Sequence, residues 1–97
     1  MANAYWINFI QSVSDPERLA RYAELARPAI EGHGGRFLAR GLPARVFEGG
    51  RDQRTVVIEF DSVEAAVACY ESPEYRQALA ALGDGAERDL RIIEGLS

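Results

Sequence analysis

Residues 4–10, "AYWINFI", hold six hydrophobic side chains in seven positions, and the aromatic and β-branched types among them predict a strand covered on both faces. The next stretch changes period. In "SDPERLARYAELARPAI", Leu19, Tyr22, Ala23, Ala26 and Ile30 fall on one helical stripe. Ser14 or Asp15 can cap this helix, Pro16 suits its first turn, and Pro28 should kink or end it near the last turn. Gly34 and Gly35 then allow the chain to stop and swing back into a second strand at about 35–40. "GLP" breaks that strand, "ARVFE" resumes an extended path, and "GGRD" at 49–52 predicts a hairpin into a third strand, "QRTVVIEF". Asp61 or Ser62 caps a second helix, whose buried side is expected at Val63, Ala66, Val67 and Tyr70. Ser72 and Pro73 start a short third helix with Tyr75, Leu79 and Leu82 on one face and Gly83 as its stop, and "RDLRIIEG" closes as a fourth strand.

The order strand, helix, strand, strand, helix, short helix, strand matches the split βαβ arrangement called ferredoxin-like, an α+β fold with a four-stranded antiparallel sheet. The crossover rule puts strands one and three at the centre, and the 97 residues read as one domain spanning 1–97. Alternation in strand three sends Val56, Ile58 and Phe60 under the helices and Thr55, Val57 and Glu59 away from them. Strand one is expected to turn Trp6, Asn8 and Ile10 outward, since a polar amide is easier to satisfy there. The helix-free face would then carry Trp6, Ile10, Leu38, Val57 and Ile93 among Asn8, Glu59, Arg36, Arg40 and Arg91. That apolar patch exceeds what soluble monomers usually leave uncovered, so a twofold homodimer, sheet against sheet, is expected, with the arginines and Glu59 lining a polar cavity.

Composition narrows the partners. Hydrophobic residues at 47% and charged residues at 27% are ordinary globular values, with no long apolar run, so a soluble cytoplasmic protein without a membrane partner is expected. A formal charge of −4 gives no broad basic footprint for nucleic acid. Neither Cys69 nor the lone His33 belongs to a metal-binding spacing, and no cofactor or metal is expected.

"HGGRFLARG", "FEGGRDQRTVVIEFDSVEAAVACYESPEYRQA" and "RIIEG", taken in order, resemble the bacterial family called domain of unknown function 1330 over nearly the whole chain. The resemblance implies a dimeric α/β barrel of ferredoxin-like type and no particular reaction. Three positions depart from the family pattern: Leu42 stands where a second glycine often follows the arginine–glycine pair, Asp61 where a proline commonly precedes the capping serine, and Leu82 where an arginine is expected.

Glu59 and His33 are the candidate catalytic residues. A histidine titrates near neutrality, although this one is also placed to favour a helix C-terminus, and Glu59 would gain basicity only in a closed cavity, an ion pair with an arginine being the alternative. Candidate ligand contacts are Trp6, Asn8, Arg36, Arg40 and Glu59, the arginines favouring an anionic or carboxylate-bearing small molecule. Tyr22, Tyr70 and Tyr75 read as core residues and Cys69 as a buried, inert thiol. The expected function is binding of an anionic small molecule by a homodimer; the alternatives are a cofactor-independent oxygenase or isomerase, by analogy of fold alone, and a structural or regulatory dimer without catalysis.

Overall fold

The computed structural model describes residues 2–96, folded as β1 (Ala4–Val13), α1 (Pro16–Gly32), β2 (Arg36–Gly41), β3 (Thr55–Phe60), α2 (Val63–Glu71), α3 (Pro73–Leu82) and β4 (Ala86–Glu94). The strands form one antiparallel sheet in the order β2-β3-β1-β4, so the two most apolar strands lie at its centre, as expected for a ferredoxin-like fold. All three helices cover the same face. No helix among the described residues is long and apolar enough to cross a membrane.

Local chemistry sets the helix ends. Asp15 caps α1 by accepting from the backbone N–H of Arg18 at 3.2 Å, with Pro16 in the first turn where its missing N–H costs nothing. Pro28 sits inside α1, which nevertheless continues to Gly32. Ser62, not Asp61, caps α2 through the N–H of Ala65, which leaves Asp61 free to pair with Arg36. Ser72 joins α2 to α3: its hydroxyl donates to the last-turn carbonyl of Cys69 at 2.7 Å and accepts from Tyr75 N–H at 3.2 Å. Gly34 takes a left-handed φ of 85°, and a Cβ at the neighbouring Gly35 would meet Ile30 Cγ2 at 2.5 Å and Phe60 Cζ at 2.9 Å, so this turn is closed to side chains.

Two expectations about local structure fail. The hairpin at "GGRD" does not form, because β2–β3 pairing stops at Gly41 opposite Thr55 and residues 42–54 make a long loop. Pro43 cannot donate to a ladder, and the turn in this loop is instead built on Glu48, at φ 53°, with Gly50 N–H donating to Phe47 O at 2.9 Å. The buried side of α2 is also rotated: Ala66 and Cys69 are buried, whereas Val67 and Tyr70 are partly open to solvent. The small Ala66 and Cys69 allow close approach to the sheet, and burial pushes the Cys69 thiol up to about 11.

The larger correction concerns strand one. Residues paired across antiparallel strands share a face. Trp6 pairs with Ile58 and Ile92, and Asn8 with Val56 and Leu90, so both lie under the helices with relative exposures of 1% and 5%. Ile10 follows them inward. The helix-free face of β1 carries Tyr5, Ile7 and Phe9, set against Glu59, Val57 and Thr55 of β3. Trp6 is the physical reason. Its ring stacks on Phe60 at 5.8 Å and meets Tyr75 edge-on at 5.1 Å, filling the volume between the sheet and the α2–α3 pair. The aromatic contacts of Trp6 outweigh the cost of carrying Asn8 inward with it.

Arg40 changes sides as well. The register of β2 shifts between Phe37, opposite Ile58, and Ala39, opposite Val57, so Leu38 is an extra residue, 54% exposed. The bulge leaves Arg36 on the open face beside Glu59 and turns Arg40, opposite Val56, to the helix side. The observed open face therefore carries Tyr5, Ile7, Phe9, Val57 and Ile93 among Arg36, Glu59, Asp89 and Arg91.

Candidate functional site

Between the inner face of the sheet and α1 lies a cavity of about 700 Å³, within the range of small-molecule pockets. Trp6, Asn8, Ile58 and Phe37 line it from the strands, and Tyr22 and Ala26 from the helix. The wall is mainly apolar, with charge contributed by Glu24, Arg27, Arg40 and Arg54. Arg27 pairs with Glu31 at 3.6 Å, whereas Arg40 and Arg54 make no ion pair among the described residues. Arg40 lies with its guanidinium 5.7 Å from the Phe37 ring centre, a partner that leaves its donors available.

Asn8 is the exceptional residue of this cavity. It is 5% exposed, and its Oδ1 is shut off from solvent without a hydrogen-bond partner. An unpaired buried acceptor costs roughly 1–3 kcal/mol, so folding alone gives no reason for an amide here. Three other polar groups, which reading the sequence did not bring together, meet where α1, α3 and β4 adjoin, and Tyr22 among them lines the cavity. Tyr22 and Tyr75 share a hydrogen bond of 2.6 Å between hydroxyls, and the Arg88 guanidinium lies over the Tyr22 ring at 4.5 Å with its Nη1 enclosed and unpartnered. Burial pushes the Tyr75 phenol well above its ordinary range, so it stays protonated. The two tyrosines were legible only as apolar-stripe residues. Arg88 carried a signal that could have been used, since it alternates with Leu90 and Ile92 and so must share their inward face.

The five expected ligand contacts separate into two groups. Trp6, Asn8 and Arg40 line the cavity, while Arg36 and Glu59 meet on the opposite face. There Arg36 Nε donates to Glu59 Oε1 at 3.0 Å and Nη2 to Asp61 at 3.0 Å, while Asn3 Nδ2 and Tyr5 OH donate to Glu59 Oε2 at 3.0 and 3.4 Å. Hydrogen bonds from Arg36, then Asn3, hold the Glu59 carboxyl below its ordinary value, which makes it a weaker base. His33 caps the end of α1, its Nδ1 donating to Ala29 O at 2.8 Å, away from the cavity wall.

This network makes a pH prediction. A depressed carboxyl contributes stability that is present above its unfolded value and is lost as pH falls through the folded one. The urea midpoint should therefore drop as pH is lowered through and below 4.5, the ordinary value of Glu59, and Glu59→Gln should flatten that drop. An equally steep profile in Glu59→Gln would mean that the network contributes nothing.

Comparisons with known proteins fit this architecture. The chain has TM-score 0.77 and 19% identity to RPA0582, a protein of unknown function from Rhodopseudomonas palustris, over 99% of this chain and 84% of that one. SnoaB of Streptomyces nogalater, a cofactor-independent oxygenase, matches with TM-score 0.69 and 11% identity over 100% of this chain and 96% of that one. A dimeric ferredoxin-like protein of unknown function from Thermobifida fusca matches with TM-score 0.57 and 15% identity, covering 97% and 92% of the two chains. At such identities the likeness shows the fold alone, and no curated protein matches the sequence. The model of the domain of unknown function DUF1330 matches residues 3–96, nearly the whole length, and the chain belongs to that family.

Proposed function

We propose that this chain is a homodimer whose protomers each bind an anionic, largely apolar small molecule in the cavity between the sheet and α1. The observation that carries the reading is Asn8, whose buried and unpartnered amide oxygen belongs to a residue on the wall of a roughly 700 Å³ cavity. Arg40 and Arg54 supply positive charge at the same wall, and the aromatic lining of Trp6, Tyr22 and Phe37 suits a planar ligand. Arg36 and Glu59 belong to the other half of the proposal. Their ion pair lies on the open face, where Ile7, Phe9 and Val57 would pack against a second copy. Two of the structurally similar proteins are described as dimeric, which supports that arrangement.

Benzoate is a suitable probe. A ligand at about a hundredfold excess over its Kd stabilises the native state by ~2.7 kcal/mol, a shift of roughly 10–20 °C in Tm for a chain of this size. Benzoate should raise Tm and the cation benzylamine should not, and Arg40→Met combined with Arg54→Met should abolish most of the benzoate effect. Stabilisation by neither compound, or by both equally, would contradict the reading.

A second reading, cofactor-independent oxygenase or isomerase chemistry, has one observation in its favour: Trp6 and Asn8 share the cavity with Tyr22, a phenol hydrogen-bonded to the buried Tyr75 behind it. It would place the chemistry at Asn8 and Tyr22, and it gives Glu59 and His33 no direct role.

A further inference from the structure

The burial of Tyr75 decides which way its hydrogen bond with the cavity-lining Tyr22 runs. Tyr75 is 0% exposed, and its hydroxyl has Tyr22 OH as its partner at 2.6 Å. If Tyr22 donated in this bond, the Tyr75 proton would be stranded in the core at a cost of roughly 1–3 kcal/mol. Tyr75 therefore donates and Tyr22 accepts. The proton of Tyr22 is then unspent, on a residue that borders the cavity. Arg88, on the strand beside Asn8, lies over the Tyr22 ring at 4.5 Å, and a cation against the π face makes the phenol a stronger donor. Asn8, lining the same cavity from the sheet side, offers the complementary group, an acceptor with no donor.

We infer that Tyr22 and Asn8 form a subsite for a ligand hydroxyl, which accepts from the Tyr22 phenol and donates to Asn8 Oδ1. This inference rests on the proposed cavity and narrows its ligand to an aromatic or enolic hydroxyl compound that also carries an anionic group for Arg40 and Arg54. A hydroxyl is the smallest group that donates and accepts at one atom, so it answers both unmet needs without importing charge. Tyr75 and Arg88 are positioning residues: one fixes the direction of the phenol and the other polarises it.

The experiment is calorimetric titration with benzoate, 3- and 4-hydroxybenzoate and the two corresponding methoxybenzoates. At least one hydroxybenzoate should bind roughly tenfold or more tightly than benzoate, as expected for completing two buried hydrogen bonds, and its methyl ether should lose that gain. Tyr22→Phe and Asn8→Ala should bring the ratio of hydroxybenzoate to benzoate affinity to within about twofold of unity. Arg88→Met should lower the same ratio, a readout that a merely structural role would leave alone. Should the variants fail to fold, the comparison of hydroxyl with methoxyl in the unaltered protein decides by itself. Benzoate binding with no gain from either hydroxyl, or equal binding of the methyl ethers, would overturn the subsite and leave the cavity reading intact. Binding of none of the five compounds would overturn both.

Discussion

Trp6→Ala is expected to cost about 3–5 kcal/mol, a large share of the ~5–15 kcal/mol available to a domain of ordinary stability. Trp6 is 1% exposed and contacts Phe60, Tyr70 and Tyr75 at ring-centre distances of 5.8, 5.7 and 5.1 Å, so truncation opens a void shared by the central strand and both short helices. Neighbouring rings are held by their own partners, Tyr75 by Tyr22 among them, which limits collapse into the gap. Urea unfolding followed by circular dichroism should give a much lower midpoint or no folded baseline at all. A loss below about 1 kcal/mol would mean that Trp6 points outward, as the solvation of Asn8 had suggested.

Val57→Arg tests the open face. Val57 lies at the middle of the helix-free surface, paired with Ile7 on β1 and Ala39 on β2, where a second copy would meet the sheet. In a twofold dimer the substitution enters twice, bringing like charges together and burying guanidinium groups without partners, each a cost of several kcal/mol. Sedimentation equilibrium should show a dimer for the natural chain and a dissociation constant raised at least ~100-fold in Val57→Arg. The helix-covered core does not contain Val57, so the variant protomer should keep its secondary structure. An unaltered dimer would place the contact elsewhere, for example on Leu42 and Phe47 of the loop, which are 69% and 75% exposed.

The element order, the central strands and the helix stops at Gly34 and Gly83 were legible because each depends on a local signal: period, cap or turn residue. The facing of strand one was not. "AYWINFI" is apolar on both sides, so alternation cannot orient it, and solvation of Asn8 pointed the wrong way. Tertiary fit decided the matter, because only the inner face offers the rings of Phe60 and Tyr75 to Trp6. The position of Arg40 depended on the bulge at Leu38, which no residue type announces. The 42–54 loop misled for a different reason, since "GGRD" has turn chemistry but lacks a paired strand before it. For the site, the sequence supplied Trp6, Asn8 and Arg40, but on the wrong side of the sheet. The failure at Asn8 is informative, because a rule of solvation broken in the interior marks the residue that folding does not explain.

In the proposed reading the two faces of one sheet divide the work: the open side meets a second copy, and the covered side takes a ligand. The location of bound benzoate tests this division most directly. In amide-correlated NMR spectra of labelled protein titrated with benzoate, the account predicts the largest shifts at the Asn8 side-chain amide, at Tyr22 and Ala26 on α1, and at Arg40 and Ile58. Shifts confined to Tyr5, Ile7, Val57 and Glu59 would put the ligand in the seam between copies and contradict it.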